Sequence, residues 1–400
     1  MVSGKRIVLG VSGGIAAYKV ADLASKLVQA GALIDVIMTA GAQKFVTPLT
    51  FQAITKRSVR TDIYSDWLGE DTGHVGLAHN ADLIVIAPAT ANTIARLALG
   101  LSDDLLCAVY LSTRAPVLIV PAMETGMFLH PATQGHLDML KGRGATVMQP
   151  GEGHLASGAT GIGRLPEVAE ILPAILRALG AEGPLAGKKV VVTAGGTQEP
   201  LDPVRYIGNA SSGRMGYAVA EEAYYAGAEV TLITGAASAP VPYGVKLVRV
   251  RTAREMEKEV GQAIEGADAL VMAAAVADYA PIDVSEQKIK KTGDTLNVAL
   301  GRNPDILLNL AGRDLPGLVR VGFAAETQDL LDNARQKLEK KKLDMIVAND
   351  AVGSIGTDSS ALTFITRDGK VEELPPMDKR ESARLIVDKL AELMKSVDGR

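Results

Sequence analysis

The chain has 400 residues, 47% apolar, 22% charged and 4% aromatic, with 42 basic against 46 acidic residues and a net charge of −4. That is room for two or three packed domains, with no long run of one sign that would favour nucleic acid or an anionic membrane as a partner. Cys107 is the one cysteine, so no intrachain disulfide can form and a reducing, cytoplasmic setting is expected. Lys5-Arg6 leads straight into an apolar run that reads as a strand and not a signal peptide, and no apolar stretch reaches the ~18 residues of a membrane span.

Apolar runs at 7–11, 33–38, 82–87 and 116–120 predict strands, and periodic stretches at 15–30, 90–99, 103–113 and 125–143 predict helices. Strands alternating with helices imply a parallel sheet covered on both faces. The stretch from Gly180 to Gly187 is small and turn-rich, which places a linker at 181–187 between domains 1–180 and 188–400. The pattern then restarts. Strands are expected at 188–193, 229–234, 267–273, 318–323 and 343–348, with helices at 213–226 and 380–396. The expected fold class is α/β, with two doubly wound, mainly parallel sheets, the second Rossmann-like. Ala30-Gly31-Ala32 and Ala226-Gly227-Ala228 each precede a strand; duplication and chance both fit this echo.

Ser12-Gly13-Gly14-Ile15 lies between a strand and a helix. Unpaired backbone N–H groups there suit a phosphate, and a plain tight turn fits as well. The pattern is not the dinucleotide G-x-G-x-x-G, so a nicotinamide dehydrogenase is not favoured. Thr39 and the run Pro88-Ala89-Thr90-Ala91-Asn92 follow the next strands and would converge on the same crevice. Together with His74-Val75, Ser102-Asp103-Asp104-Leu105, Pro121-Ala122-Met123 and Gly161-Ile162-Gly163-Arg164-Leu165, these segments resemble the FMN-dependent cysteine decarboxylase family over about residues 5–180.

The resemblance implies FMN held by Ser12, Gly13, Gly14, Ile15, Thr39, Pro88, Ala89, Thr90, Asn92 and Ser102, with His74 as catalytic base or proton mover. The chemistry accounts for a flavin. A cysteine-derived carboxylate has no electron sink until its thiol is oxidised to a thioaldehyde, and carbon dioxide can then leave. Two catalytic positions depart from the family pattern. Glu124 stands where an Asn usually binds the substrate carboxylate, and Ser157 where a Cys usually donates a proton.

In the second half, Ala194-Gly195-Gly196-Thr197-Gln198-Glu199-Pro200-Leu201-Asp202-Pro203-Val204-Arg205 is similar to the opening signature of phosphopantothenate–cysteine ligases. The likeness continues through Asn209-Ala210-Ser211-Ser212-Gly213, Ala277-Asp278-Tyr279, Lys288-Ile289-Lys290-Lys291, Asn303-Pro304-Asp305-Ile306 and Gly322-Phe323-Ala324. It implies ligation of 4′-phosphopantothenate to L-cysteine through an acyl-cytidylate made from CTP. Mg²⁺ would accompany the triphosphate, its protein ligands unknown. The implied roles are Asn209 on the acyl-cytidylate, Lys288 on the phosphates, and nucleotide contacts from Asp278, Pro304, Asp305, Ile306, Leu307, Phe323, Lys337 and Lys341. Lys337 and Lys341 are spaced i,i+4 in the periodic stretch 333–342, which puts both ammoniums on one helix face; a solvated basic face is the other reading.

The whole resemblance implies a bifunctional enzyme, assembled as a homo-oligomer through trimers of the first half and dimers of the second. Two alternatives remain at this point: an active ligase whose first half is only a flavin-binding scaffold, and a non-enzymatic regulatory binding protein.

Overall fold

The computed structural model describes residues 2–64, 73–291, 295–326, 330–350 and 359–398. The chain divides into two compact units, Met1–Ala181 and Glu182–Arg400. No helix among the described residues is long and apolar enough to cross a membrane.

In the first unit, β1 (Arg6–Val11), β2 (Leu33–Met38), β3 (Leu83–Ala89), β4 (Val117–Pro121) and β5 (Thr146–Val147) form a parallel sheet in the order β2-β1-β3-β4-β5. The strands are nearly continuous apolar runs because both faces are covered. Leu9 and Val85 point to one face, under α1 (Ala17–Gln29), α2 (Pro48–Thr55) and α8 (Val168–Leu179). Val8 and Ile84 point to the other, under α3 (His74–Asn80), α4 (Ala91–Leu99), α5 (Leu105–Ser112) and α7 (Pro131–Gly142).

The single helix expected over 125–143 is two, α6 (Thr125–Leu129) and α7, because His130 precedes Pro131 and takes an extended conformation with ψ 133°. The proline ring disfavours the helical region for the residue before it. An antiparallel hairpin, β6 (Gly151–His154) with β7 (Thr160–Arg164), was not among the expected elements.

In the second unit, β8 (Lys189–Ala194), β11 (Glu229–Thr234), β12 (Lys246–Arg249), β13 (Ala269–Met272), β16 (Val319–Glu326) and β17 (Met345–Asp350) are parallel. β19 (Thr363–Thr366) and β20 (Val371–Glu373) add an antiparallel edge, giving the order β12-β11-β8-β13-β16-β17-β19-β20. Short pairs stand outside this sheet: β9 (Gln198–Pro200) with β10 (Tyr206–Gly208), β14 (Tyr279–Pro281) with β15 (Leu300–Arg302), and β18 (Ser359–Ser360) with β21 (Met377–Asp378). α9 (Arg214–Tyr225) and the closing helix Lys379–Asp398 cover one face; α10 (Ala253–Ala263), α11 (Ile306–Ala311) and α12 (Leu330–Lys340) cover the other.

Gly216 lets α9 lie against β8, since a Cβ there would sit 2.8 Å from the Thr193 carbonyl oxygen. Leu185, within the stretch expected to be a linker, is fully buried in the second unit's core, and its N–H donates to the Ala226 carbonyl at 3.0 Å. The end of that stretch is therefore packed structure and not a free tether. In both sheets the strand order reverses beside the first strand, between β1 and β3 and between β8 and β13, where open α/β sheets form a crevice.

Candidate active sites

A cleft of about 1000 Å³ opens at the C-terminal ends of the first sheet's strands. Ser12 follows β1 directly and is wholly buried. Its hydroxyl donates to the Pro88 carbonyl at 2.6 Å and accepts from the Thr90 N–H at 3.0 Å, tying the first and third turns together. Gly13 touches Gly41, where a Cβ would lie 2.8 Å from Gly41 Cα, so the first and second turns meet backbone to backbone. α1 starts with no side-chain cap; the Ala17 and Lys19 N–H groups donate to the Gly14 and Ala16 carbonyls at 3.0 Å, and the positive end of the helix faces the cleft. Exposed Ile15, Tyr18 and Met127 give the cleft apolar lips. Arg96 pairs with Asp103 and with Asp104 (3.1 Å) on its wall.

The β6–β7 hairpin closes one side. Met123 N–H donates to the Gly163 carbonyl at 2.9 Å, and Thr125 Oγ1 donates to the Ile162 carbonyl at 2.8 Å. Gly163 has φ 143°, and a Cβ there would run into the Met123 carbonyl oxygen, so this contact requires glycine. The hairpin thereby sets Ser157, in its connecting loop, on the same cleft as Glu124. Both are exposed. Glu124 caps α6, accepting from the Gly126 N–H at 2.5 Å.

A second crevice, of about 480 Å³, lies at the C-terminal ends of the second sheet's strands. α9 begins at Gly213 (φ 73°) without a side-chain cap and points its first turn there. The loop 273–278 forms the floor and is held from behind: Ala274 N–H donates to Thr193 Oγ1 (3.2 Å) and Ala277 N–H to Thr197 Oγ1 (2.9 Å). Asn303 Nδ2 donates to the Ala277 carbonyl at 2.9 Å, and Asn209 Nδ2 to that of Val276 at 3.1 Å. Asp305 caps α11 through the Leu308 N–H (3.2 Å) and pairs with Lys341 at 3.0 Å.

Outside this lining, a buried carboxylate organises the loop that follows Lys288. Asp202 is fully buried and accepts from the N–H groups of Val204 (2.8 Å), Arg205 (2.8 Å) and Ile289 (3.2 Å), and from Arg205 Nη2 at 2.6 Å. Arg205 Nη2 also donates to the Ile289 carbonyl at 3.1 Å. The Arg205 guanidinium holds the Asp202 carboxyl well below the usual carboxylate range, aided by those N–H groups and opposed by burial.

Two family matches divide the chain as the two units do: a flavoprotein family over residues 1–180, and the DNA/pantothenate metabolism flavoprotein C-terminal domain family over 185–394. The coenzyme A biosynthesis bifunctional protein CoaBC of Bacillus subtilis (strain 168) is 43% identical over 406 residues, covering 100% of both chains. That of Mycolicibacterium smegmatis is 44% identical over 417 residues, again covering 100% of both. A crystal structure of the C-terminal domain of a CoaBC protein is 38% identical, covering 54% of this chain and 99% of that one at a TM-score of 0.47. The chain belongs to the coenzyme A biosynthesis bifunctional protein family.

Within this family member, the first cleft brings together Gly13, Gly14, Ile15, Thr39, Thr90, Asn92, Glu124 and Ser157. Ser12, Pro88 and Ala89 do not line it: Ser12 and Ala89 are buried behind it. Ser102 is exposed and also outside the lining. His74 is elsewhere too. It opens α3, and its Nδ1 is buried without a partner among the described residues; 65–72, just before it, lie outside them. The second crevice gathers Asn209, Asp278, Pro304, Asp305, Ile306, Leu307, Phe323, Lys337 and Lys341. Lys288 is exposed and does not line it.

The sequence reading missed Arg96 and Tyr18 on the first cleft, and Arg214 and Lys379 on the second. Lys379 stands one residue before the helix expected at 380, and so was not read as part of it. Among the described residues no group of three or more His, Cys, Asp or Glu could hold a metal ion.

Proposed function

We propose that the second unit ligates 4′-phosphopantothenate to L-cysteine with CTP, and that the first decarboxylates the resulting 4′-phosphopantothenoylcysteine to 4′-phosphopantetheine with FMN. What supports this reading is that each half gathers most of its signature residues, His74 and Lys288 excepted, on a separate crevice at the switch point of its own sheet.

A carboxylate is a poor electrophile. Its attack on the nucleotide's α-phosphorus releases pyrophosphate and leaves an acyl-cytidylate. The cysteine amine then attacks the acyl carbon, loses a proton and expels CMP. Lys337, Lys341 and the uncapped start of α9 offset the triphosphate charge, and the Asn209 amide is placed to donate to the acyl-cytidylate. Phe323, Ile306 and Leu307 provide an apolar wall. By the family likeness Lys288 is assigned to the phosphates, from the loop that Asp202 and Arg205 hold and outside the crevice lining. Mg²⁺ enters with the nucleotide's own phosphates, and no step is assigned to a protein-bound ion.

The first cleft fits FMN: the start of α1 and the Gly13–Gly14 backbone suit its phosphate, and the apolar lips suit its ring system. When bound, the flavin supplies reversible two-electron oxidation at the carbon bearing the thiol. Glu124 and Ser157 flank the substrate's reacting end, and His74 moves the thiol proton. Because His74 stands outside its own chain's cleft, a second copy supplies it in this reading, which is one reason to expect a homo-oligomer. The setting proposed is the cytoplasm.

The test separates the two activities. Lys288→Ala and Asn209→Ala should each abolish ligation yet leave decarboxylation of supplied 4′-phosphopantothenoylcysteine intact. Equal loss of both activities in a folded protein would overturn the assignment.

A further inference from the structure

At the opposite end of the second sheet from the nucleotide crevice, a separate cavity of about 460 Å³ lies between the C-terminal turn of α12, the start of β16 and the turn after β19. Four cationic residues line it, Arg320, Arg335, Lys342 and Arg367, against one carboxylate, Glu339; Arg335 also pairs with Asp332 at 3.9 Å on the same helix. Among the described residues no ion pair joins Glu339 to any of them.

Arg320 is the unusual group. It sits on β16 among apolar residues, and its Nε and Nη1 are buried with no hydrogen-bond partner among the described residues. The nearest carboxylate is already engaged: Asp344 accepts from the backbone N–H of Arg320 at 2.8 Å and pairs with Arg367 at 3.3 Å. Burial pushes the Arg320 guanidinium below its ordinary value, with Asp344 opposing and Arg367 adding to the shift. Arg320 as a whole is half-buried, but two buried N–H donors left unpaired are costly, and proteins ordinarily give such groups an acceptor.

Lys342 adds a second observation. It takes φ 49° just past the end of α12, a position that glycine usually fills. That backbone puts Lys342 on the cavity lining, where a glycine would bring no charge. Arg367 donates to the carbonyls of Leu343 (3.2 Å) and Lys342 (2.8 Å), so it contributes charge while holding the rim in place.

We infer that this cavity is a second anion site, taking the phosphate of a small phosphorylated molecule between Arg320, Lys342 and Arg335. It holds no nucleophile and no acid–base pair aimed at a ligand, so its role is binding, not chemistry. The link to function is α12. The same helical segment presents Lys337 and Lys341 to the nucleotide crevice and Arg335, Leu338 and Lys342 to this cavity. An anion that shifted α12 from this cavity would also move the two crevice lysines, and the effect would be reciprocal. This coupling rests on the ligase reading; the binding itself does not.

The experiment is calorimetric titration of inorganic phosphate, at constant ionic strength, into the full-length protein and its Arg320→Met, Lys342→Ala and Lys337→Ala variants. Arg320→Met should weaken one class of site at least tenfold and Lys342→Ala severalfold, while Lys337→Ala leaves that class unchanged. Should Arg320→Met fail to fold, the exposed Lys342 and Arg367→Met carry the same comparison. No phosphate binding by the parent protein, or binding that only Lys337→Ala weakens, overturns the site. Binding without ligation would leave the site standing and sink the ligase reading instead.

Discussion

Asp202 has no direct part in the chemistry, yet the account makes ligation depend on it. Its carboxylate fixes the Ile289 N–H, and through Arg205 the Ile289 carbonyl, one residue from Lys288. A hydrogen bond to a charged group contributes about 1.5–3 kcal/mol, or roughly ten- to a hundredfold in rate if all of it positions Lys288. Asp202→Asn should therefore lower kcat for ligation by that order and leave decarboxylation unchanged; an unaltered kcat would remove Asp202 from the mechanism.

Cys107 is the opposite case, a chemically able residue placed out of use. Burial first, then Asp104, pushes its thiol up to about 12 from an ordinary 9.0. The native thiol should resist iodoacetamide at pH 8, and Cys107→Ser should retain full decarboxylation; arrest at the oxidised enethiol would contradict this. The raised value also has a sign for stability. The unfolded thiol ionises first, so the contribution is whole below pH 9 and is lost between pH 9 and about 12. Ser157→Ala should retain much of the decarboxylation. Glu124 is exposed and caps α6, so its carboxyl is not a buried acid standing in for the family's Cys. Lys337 and Lys341 were legible because helical spacing is local. Asp202 was not: in sequence it reads as a turn residue, and its decisive contact spans 87 positions.

At the scale of elements, strands and long helices followed from period and apolar runs, since β1, β3 and β8 are buried on both faces. What escaped was set by single residues or by pairing at a distance. One Pro splits α6 from α7. The β6–β7 hairpin carries Gly at 151, 153, 161 and 163 and offers little alternation to read. Its docking depends on Gly163. Gly163→Ala combines a positive φ with a clash against Met123, at a cost of about 2 kcal/mol or more. The expected result is FMN held at least tenfold more weakly with ligation unaffected, read from flavin content after dialysis. Flavin content equal to the parent protein's would mean the hairpin does not shape the cleft.

For the whole molecule, two catalytic units on one chain predict behaviour neither unit predicts alone. The purified protein should be yellow, and a colourless protein that fails to take up added FMN would contradict the first unit's role. Light scattering should report an oligomer, since His74 lies outside the cleft of its own chain; a monomer would leave that cleft without its histidine. The most direct test of the central claim is one incubation of the purified protein with 4′-phosphopantothenate, L-cysteine, CTP and Mg²⁺, with the products identified by mass. The account predicts 4′-phosphopantetheine, CMP, pyrophosphate and carbon dioxide. Accumulation of 4′-phosphopantothenoylcysteine without loss of carbon dioxide would contradict the role given to the first unit, and absence of both products would contradict the account as a whole.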